Sequence, residues 1–430
     1  DSGDDPLLTM FPHPVANRFW ISGQINIISQ GHPSFPALYS GPNSLQPQAQ
    51  IATSRVFTLY TGAELGDGFQ ALLDIESAGG HGLSGGVGLG GFTDLDVVRT
   101  PSLGQAPYLA RFLIEKTISL GGGAVDNDRD YLSLSPSLPA RRLELWVGKF
   151  SLVDFFDVNP VGSDSHLQFM NWAVDDDAAY DYAANTRGYT WGGVVEYYDR
   201  NWAVRFAEAM MPKVANGENL DADLARAHSE NLEFEFHPAL IPHHASALRL
   251  LSFVNHADMG NYREAIDAFL SGKTSAPNIV ATRRQGRVKY GFDVNAYQDV
   301  GHGLRLFNRW GWNDGRNESF AYTEVDRTVS VGGDLSGKDW KRPFDKLGLA
   351  YDVDAISGDH RRYLALGGQG FMLGDGGLDY GLEKIAEGYY TFHLWRGLFS
   401  SVDLQHITNP GYNRARGPVL VGSLRFHIDF

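Results

Sequence analysis

The sequence predicts an all-β fold: a transmembrane antiparallel β-barrel of about sixteen strands, with long extracellular loops of which at least one folds into the lumen. Three observations lead there. Near the end of the chain Leu424, Phe426, Ile428 and Phe430 alternate with Ser423, Arg425, His427 and Asp429. Such a run is a strand with one oily and one wet face, and in a membrane barrel the wet face looks into the lumen. About sixteen such runs, bounded by Gly, Pro, Asn or Asp, recur along the 430 residues. The connections between them alternate between long and short, as barrel loops and turns do.

The runs lie near 18–29, 51–61, 69–77, 108–119, 141–149, 188–198, 201–211, 230–237, 246–257, 287–298, 302–312, 327–335, 346–356, 386–396, 398–407 and 418–430. In the first, Phe19, Ile21, Ile25 and Ile27 alternate with Trp20, Ser22, Gln24 and Asn26. If the last strand runs down to a periplasmic end, the loops at the far end are 31–50, 78–107, 150–187, 212–229, 258–286, 313–326, 357–385 and 408–417. The opposite end then carries short turns at 199–200, 238–245, 299–301 and Gly397. Segment 120–140 breaks this pattern and 336–345 strains it. A further run, 361–368, would destroy the parity as a strand and is assigned to a loop, as a short helix. Residues 1–17 read as a periplasmic N-terminal segment and 18–430 as a single barrel domain.

Composition agrees. Fifty Gly with 25 Phe, 19 Tyr and 9 Trp suit a β protein with aromatic girdles. Mean hydropathy is −0.25, and no apolar run approaches the ~20 residues of a membrane helix; barrel strands dilute each apolar residue with a polar one. The absence of Cys excludes disulfides, Cys-ligated zinc and thiol catalysis. A net charge of −15 argues against nucleic acid as a partner. The opening Asp1-Ser2-Gly3-Asp4-Asp5 reads like a mature end after removal of an export signal.

Strand phase assigns the lumen face. Tyr108, Ala110, Phe112 and Ile114 outward put Arg111 and Glu115 inward; Leu143, Leu145 and Val147 outward put Arg142, Glu144 and Trp146 inward. The same alternation turns Arg205, Arg249, Lys289, Asp293, Asn295, Arg305 and Arg309 inward, and Asp403, Gln405, Arg425 and His427 with them. Energy requires it, since an outward Arg at mid-bilayer costs roughly 2–4 kcal/mol. Each inward Arg has two readings: a rung of a ladder pairing with wall carboxylates, or part of a positive arc at the narrowest point. The acidic loop 150–187 (Asp154, Asp157, Asp164, Asp175, Asp176, Asp177, Asp181) is too long for a plain turn and is expected to fold in and narrow the barrel. Loop 78–107, with Asp94, Asp96 and Arg99, can fold in similarly. Its glycines, Gly85 to Gly91, are no phosphate cradle, because no strand-to-helix unit surrounds them.

Weaker signals read as structure. His243-His244 beside Pro242 is a solvated turn, and Asp126 to Asp130 lacks the spacing of a Ca²⁺ loop. Tyr60, Tyr197, Tyr198, Trp310, Trp312 and Tyr389 are sugar platforms or interface anchors. No metal, cofactor or catalytic group is expected.

Five blocks carry a family resemblance: GQINIISQGHPSFPALYSGPNSL (Gly23 to Leu45), GLSGGVGLGGFTDLDVVR (Gly82 to Arg99), GKFSLVDFFDVNPVGSDSHLQFMNWAV (Gly148 to Val174), DYAANTRGYTWG (Asp181 to Gly192) and EGYYTFHLWRGLFSSVDLQHITNPGYNRARGPV (Glu387 to Val419). They resemble the carbohydrate-selective porins of the OprB type, while about 212–285 matches poorly. The resemblance implies passive, selective diffusion of sugars through a water-filled barrel in the bacterial outer membrane. Its partners would be sugars, lipid, and the barrel-assembly machinery through the strand ending at Phe430. Sugars offer hydroxyls and apolar ring faces, which Arg, carboxylates and aromatics suit. The expected pore-lining residues are therefore Arg99, Arg111, Glu115, Arg142, Trp146, Arg205, Arg249, Lys289, Arg305 and Arg309. The expected constriction residues are Asp157, Asn159, Asp164, Asn171, Trp172 and Asp181. The alternatives are a general or weakly anion-preferring porin, an outer-membrane barrel enzyme, for which no serine has convincing context, and a plugged adhesive barrel.

Overall fold

The computed structural model describes residues 8–13, 17–97, 99–100 and 103–430. Sixteen strands form one closed antiparallel barrel: β1 (Phe19–His32), β2 (Gln50–Gly66), β3 (Phe69–Gly80), β4 (Tyr108–Ser119), β5 (Arg142–Phe150), β6 (Thr190–Asp199), β7 (Trp202–Met210), β8 (His228–Phe236), β9 (Ser246–Met259), β10 (Arg284–Gly301), β11 (Leu304–Asn313), β12 (Arg327–Ser336), β13 (Lys346–Ala355), β14 (Glu383–Trp395), β15 (Leu398–Thr408) and β16 (Val419–Asp429). Each pairs with its sequence neighbours, and β1 closes on β16 from Gln24↔Asp429 to Gly31↔Gly422. Closure leaves no unpaired edge, which a sheet in lipid requires. Among the described residues no helix is long and apolar enough to cross a membrane.

The outer face is apolar and exposed, as Leu59, Phe206, Phe234, Leu250, Phe292 and Phe426 illustrate. The inner face is polar yet buried, because loops fill much of the barrel. Eight connections at one end are long and those at the other are short, with one exception. The segment between β4 and β5, which broke the predicted alternation, lies at the short-turn end and folds back into the barrel. A small hairpin (Ala124–Asp126 with Ser137–Pro139) carries Leu134 against Leu72 and Gly62, and Tyr131 against Tyr60 with ring centroids 4.8 Å apart. Within it Asp130 accepts the backbone N–H groups of Leu132 and Ser133, and the Arg129 guanidinium lies over Trp20 at 5.4 Å. Asp126 ends the first strand of the hairpin, and 127–130 belong to the connection that follows it.

Three helices sit in the long loops: α1 (Trp172–Asp175), α2 (Tyr262–Leu270) and α3 (Gly358–Ala365). The last occupies the start of the run excluded from the strands. Ser357 caps it, its side chain accepting from the His360 N–H.

One phase assignment fails. On β4, Leu109 pairs with Ile75 and Arg111 with Asp74, so Ala110 is the extra residue of a bulge. Beyond it the faces exchange. Ala110 is buried, and the Tyr108 hydroxyl turns inward to donate to Glu76. Of the N-terminal segment, the described part lies against the short-turn end: the Met10 N–H donates to Asp429 O at 2.8 Å, and His13 stacks on Trp20 at 4.3 Å. Residues 1–7 and 14–16 lie outside the described residues.

Candidate functional site

Loop 151–189, between β5 and β6, enters the barrel and crosses it. Phe156, Val161, Phe169, Met170, Ala173 and Val174 are fully buried, and their burial drives the insertion. Wall side chains satisfy the loop's backbone. Arg309 on β11 uses five N–H contacts on it: Asp157 Oδ1 (2.9 Å) and O (3.1 Å), Gly162 O (3.2 Å), Val174 O (3.0 Å) and Ser163 Oγ (2.8 Å). Arg425 donates to Ser165 O and Gln168 O, and Glu387 accepts from Met170 N–H. Bare backbone at Gly311 lets the loop lie against the wall, since a Cβ there would collide with the Asp177 carboxylate. Loop 81–107 also turns inward, with Thr93 bonded to Gln30, and Asn26 donating to Asp96 at 2.6 Å.

The space left over is a cavity of about 570 Å³ against β1–β4 and β16. Its lining runs from Thr9, His427 and Asp429 at the short-turn end to Leu103, Thr186 and Gly188 in the long loops, so it reaches both ends of the barrel. Charged pairs face it. Arg111 makes a two-pronged contact with Asp154 (Nε–Oδ2 2.8 Å, Nη2–Oδ1 2.5 Å), and its guanidinium lies 5.0 Å from the Tyr131 ring and 5.4 Å from that of Tyr189. Arg187 sits over the Tyr108 ring at 3.9 Å. Glu76 accepts from Tyr189 at 3.0 Å and Thr58 at 3.1 Å. His166 lies 3.4 Å from Asp96 and stacks on His427 at 5.4 Å. Trp172 stacks on Tyr322 at 4.6 Å and 20°. Burial pushes the His166 pKa down, but Asp96 outweighs it and the net shift is upward. The Asp96 carboxyl is held below the usual range although burial opposes this.

A second cavity, of about 1130 Å³, opens at the short-turn end beneath the inserted loop and shares Asp154 with the first. It is walled by a ladder of cross-strand charges. Arg205 contacts Glu196 at 3.0 Å, Glu235 at 2.8 Å and also Glu233, while Arg249 donates to Glu235 at 3.1 Å. Arg142 pairs with Glu144 at 2.5 Å and lies 3.8 Å from the Tyr198 ring centroid.

This architecture is shared. A family model described as "Carbohydrate-selective porin, OprB family" matches residues 42–430. The chain belongs to the OprB family of carbohydrate-selective porins. Its fold is that of OprB from Pseudomonas putida, whose high-pH structure aligns with a TM-score of 0.73 and 18% identity over 96% of this chain and 94% of that one. The low-pH structure of the same protein gives a TM-score of 0.51 and 14% identity, covering 96% and 92%. The outer membrane channel DcaP of Acinetobacter baumannii gives 0.51 and 10%, covering 96% and 97%. No curated protein sequence matches the chain. Family and fold make it an outer-membrane porin for carbohydrates.

Within this porin the residues singled out from sequence separate into three groups. Arg111, Asp164 and Trp172 line the 570 Å³ cavity. Glu115, Arg142, Trp146, Arg205 and Arg249 line the wider one. The other residues expected to line the pore or its constriction line neither cavity. Arg309 and Lys289, expected on the pore, are corrected to loop anchors: each side chain is fully buried, with Asp157 and Asp181 as carboxylate partners at 2.9 and 3.1 Å. Asp157 and Asp181, expected in the constriction, are the other halves of those anchors. Asn159 bonds Asn295 at 2.7 Å, and Asn171 caps α1 and bonds Gln405 at 3.0 Å, so both likewise face the wall. Arg305 pairs with Asp334 across β11 and β12. Arg99 donates to Asn216 Oδ1 at 2.9 Å and Phe371 O at 2.7 Å, tying long loops together. Sequence reasoning missed Glu76, Tyr108, Tyr131, His166, Arg187 and Tyr189. The bulge hid Tyr108, and the hairpin fold-back hid Tyr131. Arg187 lies in the family-like block DYAANTRGYTWG, which was a usable signal.

Proposed function

We propose that sugars pass through the 570 Å³ cavity, and that Arg111, Asp154, Glu76, Arg187, Asp96 and His166 are the polar groups they meet there. The observation that carries this reading is a lining that touches both ends of the barrel and mixes paired charges with aromatic rings. Paired Arg and carboxylate groups replace the hydration of sugar hydroxyls without capturing a charged solute. Trp172, Tyr131 and Tyr189 stand in the lining, where an aromatic ring suits the C–H side of a pyranose. The wider cavity, with its ladder of paired charges, is the vestibule on the short-turn side. In the same reading the N-terminal part lies on the periplasmic side and 18–430 form one domain. The chain reaches the outer membrane after removal of an export signal, and the assembly machinery takes hold of the strand ending at Phe430, whose N–H donates to Gly23 O at 2.9 Å. The channel needs no cofactor and performs no covalent step.

Liposome swelling tests the reading. Vesicles containing the protein should swell faster in glucose than in an amino-acid solution of similar molecular size. Equal rates for both solutes would indicate a general porin.

A further inference from the structure

We infer that the outer wall of the barrel carries a site for a zinc-like divalent metal ion, built from His228, Glu230 and His256. β8 and β9 are paired with His228 opposite His256 and Glu230 opposite Val254. Alternation puts His228 and Glu230 on one face of β8, and the directly opposed His256 on the same face of β9. That face is the outer one: Leu232 and Phe234 continue it on β8, and Leu250 on β9, all exposed. One nitrogen from each imidazole and one oxygen of the carboxylate all lie within 4.8 Å of one another. The two rings stack at 4.5 Å and 16°.

The unmet hydrogen-bonding capacity points the same way. His228 Nδ1 is buried and has no hydrogen-bond partner. An orphaned ring nitrogen costs stability, and a metal bond would satisfy it. The ligands stand on two rigid strands, so binding orders no loop. The donor set selects the ion class: two imidazoles and one carboxylate suit zinc and its neighbours, whereas Ca²⁺ and Mg²⁺ take oxygen ligands. Three protein ligands leave a fourth position. Glu208 on β7 stands opposite Glu230 and is exposed on the same face, so it or a water can fill that position. The site lies where β8 and β9 meet the long loops, above an apolar wall. A bound ion would neutralise Glu230 at that boundary and clamp the two strands. The ligands are 28 positions apart at most, on separate strands and in no metal-binding motif, so only the strand pairing brings them together.

The test uses the untagged, full-length protein in detergent, stripped with a chelator and titrated with Zn²⁺ by calorimetry, then with Co²⁺ by visible absorption. One equivalent of Zn²⁺ should bind, and Co²⁺ should give the intense bands of a low-coordinate nitrogen–oxygen site. Affinity should fall roughly tenfold or more in Glu230→Gln and His256→Ala. It should be unchanged when His243 and His244, at the opposite end, are both replaced by Ala. Glu230→Gln is isosteric and at the surface, so it remains informative if a histidine variant fails to fold. No saturable binding by the parent protein, or undiminished binding by both Glu230→Gln and His256→Ala, would overturn the proposal.

Discussion

Arg309 donates its Nε–H to Asp157 Oδ1 at 2.9 Å, and neither side chain is exposed to solvent. A guanidinium has five N–H donors, and all five here are engaged by the inserted loop, which leaves none for a solute. Asp157 also holds a left-handed backbone, at φ 57°, that helps bring its own carbonyl onto the same guanidinium. The pair is therefore one mechanical attachment of the inserted loop to the wall.

Replacing Arg309 by Met should leave Asp157 buried without its cation. Breaking such a pair costs about 3–5 kcal/mol. The thermal unfolding midpoint followed by circular dichroism should drop, and single-channel currents should become noisier as the loop loosens. Quiet, unchanged currents would mean that the loop's apolar residues hold it without Arg309.

Arg111 is expected to behave in the opposite manner. It faces the cavity and retains aromatic neighbours, so Arg111→Ala should widen the passage and weaken sugar block. Loss of a hydrogen bond to a charged group, roughly 1.5–3 kcal/mol, corresponds to about ten- to a hundredfold in sugar affinity. Titrating glucose against single-channel conductance measures this directly, with conductance in its absence rising.

The contact between the two inserted loops should depend on pH. His166 has a raised pKa in the folded protein, so its contribution to stability is fully present below the unfolded value of about 6.5 and is lost as pH rises through the folded value. Asp96 has a lowered pKa, so its contribution is present above about pH 3.9 and is lost as pH falls through the folded value. Asp164, Arg425 and His427 also face His166, with Asp164 supporting the charge and Arg425 opposing it. The loop contact should be firmest in mildly acidic solution and weaken on the alkaline side. Current noise recorded against pH should follow this course and lose its alkaline limb in His166→Gln.

The hairpin between β4 and β5 narrows the barrel from the short-turn side. Excising residues 124–139 and joining the ends with a short Gly-rich turn should raise conductance while the barrel still folds, since β4 and β5 remain paired from Phe112↔Lys149 to Ser119↔Arg142. Unaltered conductance would place the resistance of the channel wholly at the loop side.

The wall of this porin was legible in its sequence because a strand's period of two leaves its mark whatever the loops do. All sixteen predicted runs are strands of the barrel. Parity correctly removed 361–368 from the wall, and the loop after β5, which its length singled out, is bonded to wall residues such as Arg309 and Glu387. Contacts brought together by closure were not legible. Whether an inward Arg meets a solute, a neighbouring strand or a folded-in loop depends on partners far along the chain. Arg309 and Asp157 are 152 positions apart, and nothing local separates Arg309 from Arg111. The single extra residue at Ala110 was invisible for another reason: a bulge preserves the apolar composition of a strand while exchanging its faces. Segment 120–140 gave only its broken parity, because its strands are three residues each.

The central claim is that the cavity beside Arg111 and Trp172 is the sugar path. Its most direct test is conductance across a planar bilayer containing the purified protein as glucose is added. Open channels should appear, their conductance should fall in a saturable manner with glucose, and Arg111→Ala should shift that titration to higher concentration. Open channels whose conductance ignores glucose, or a glucose block that Arg111→Ala leaves in place, would contradict the account.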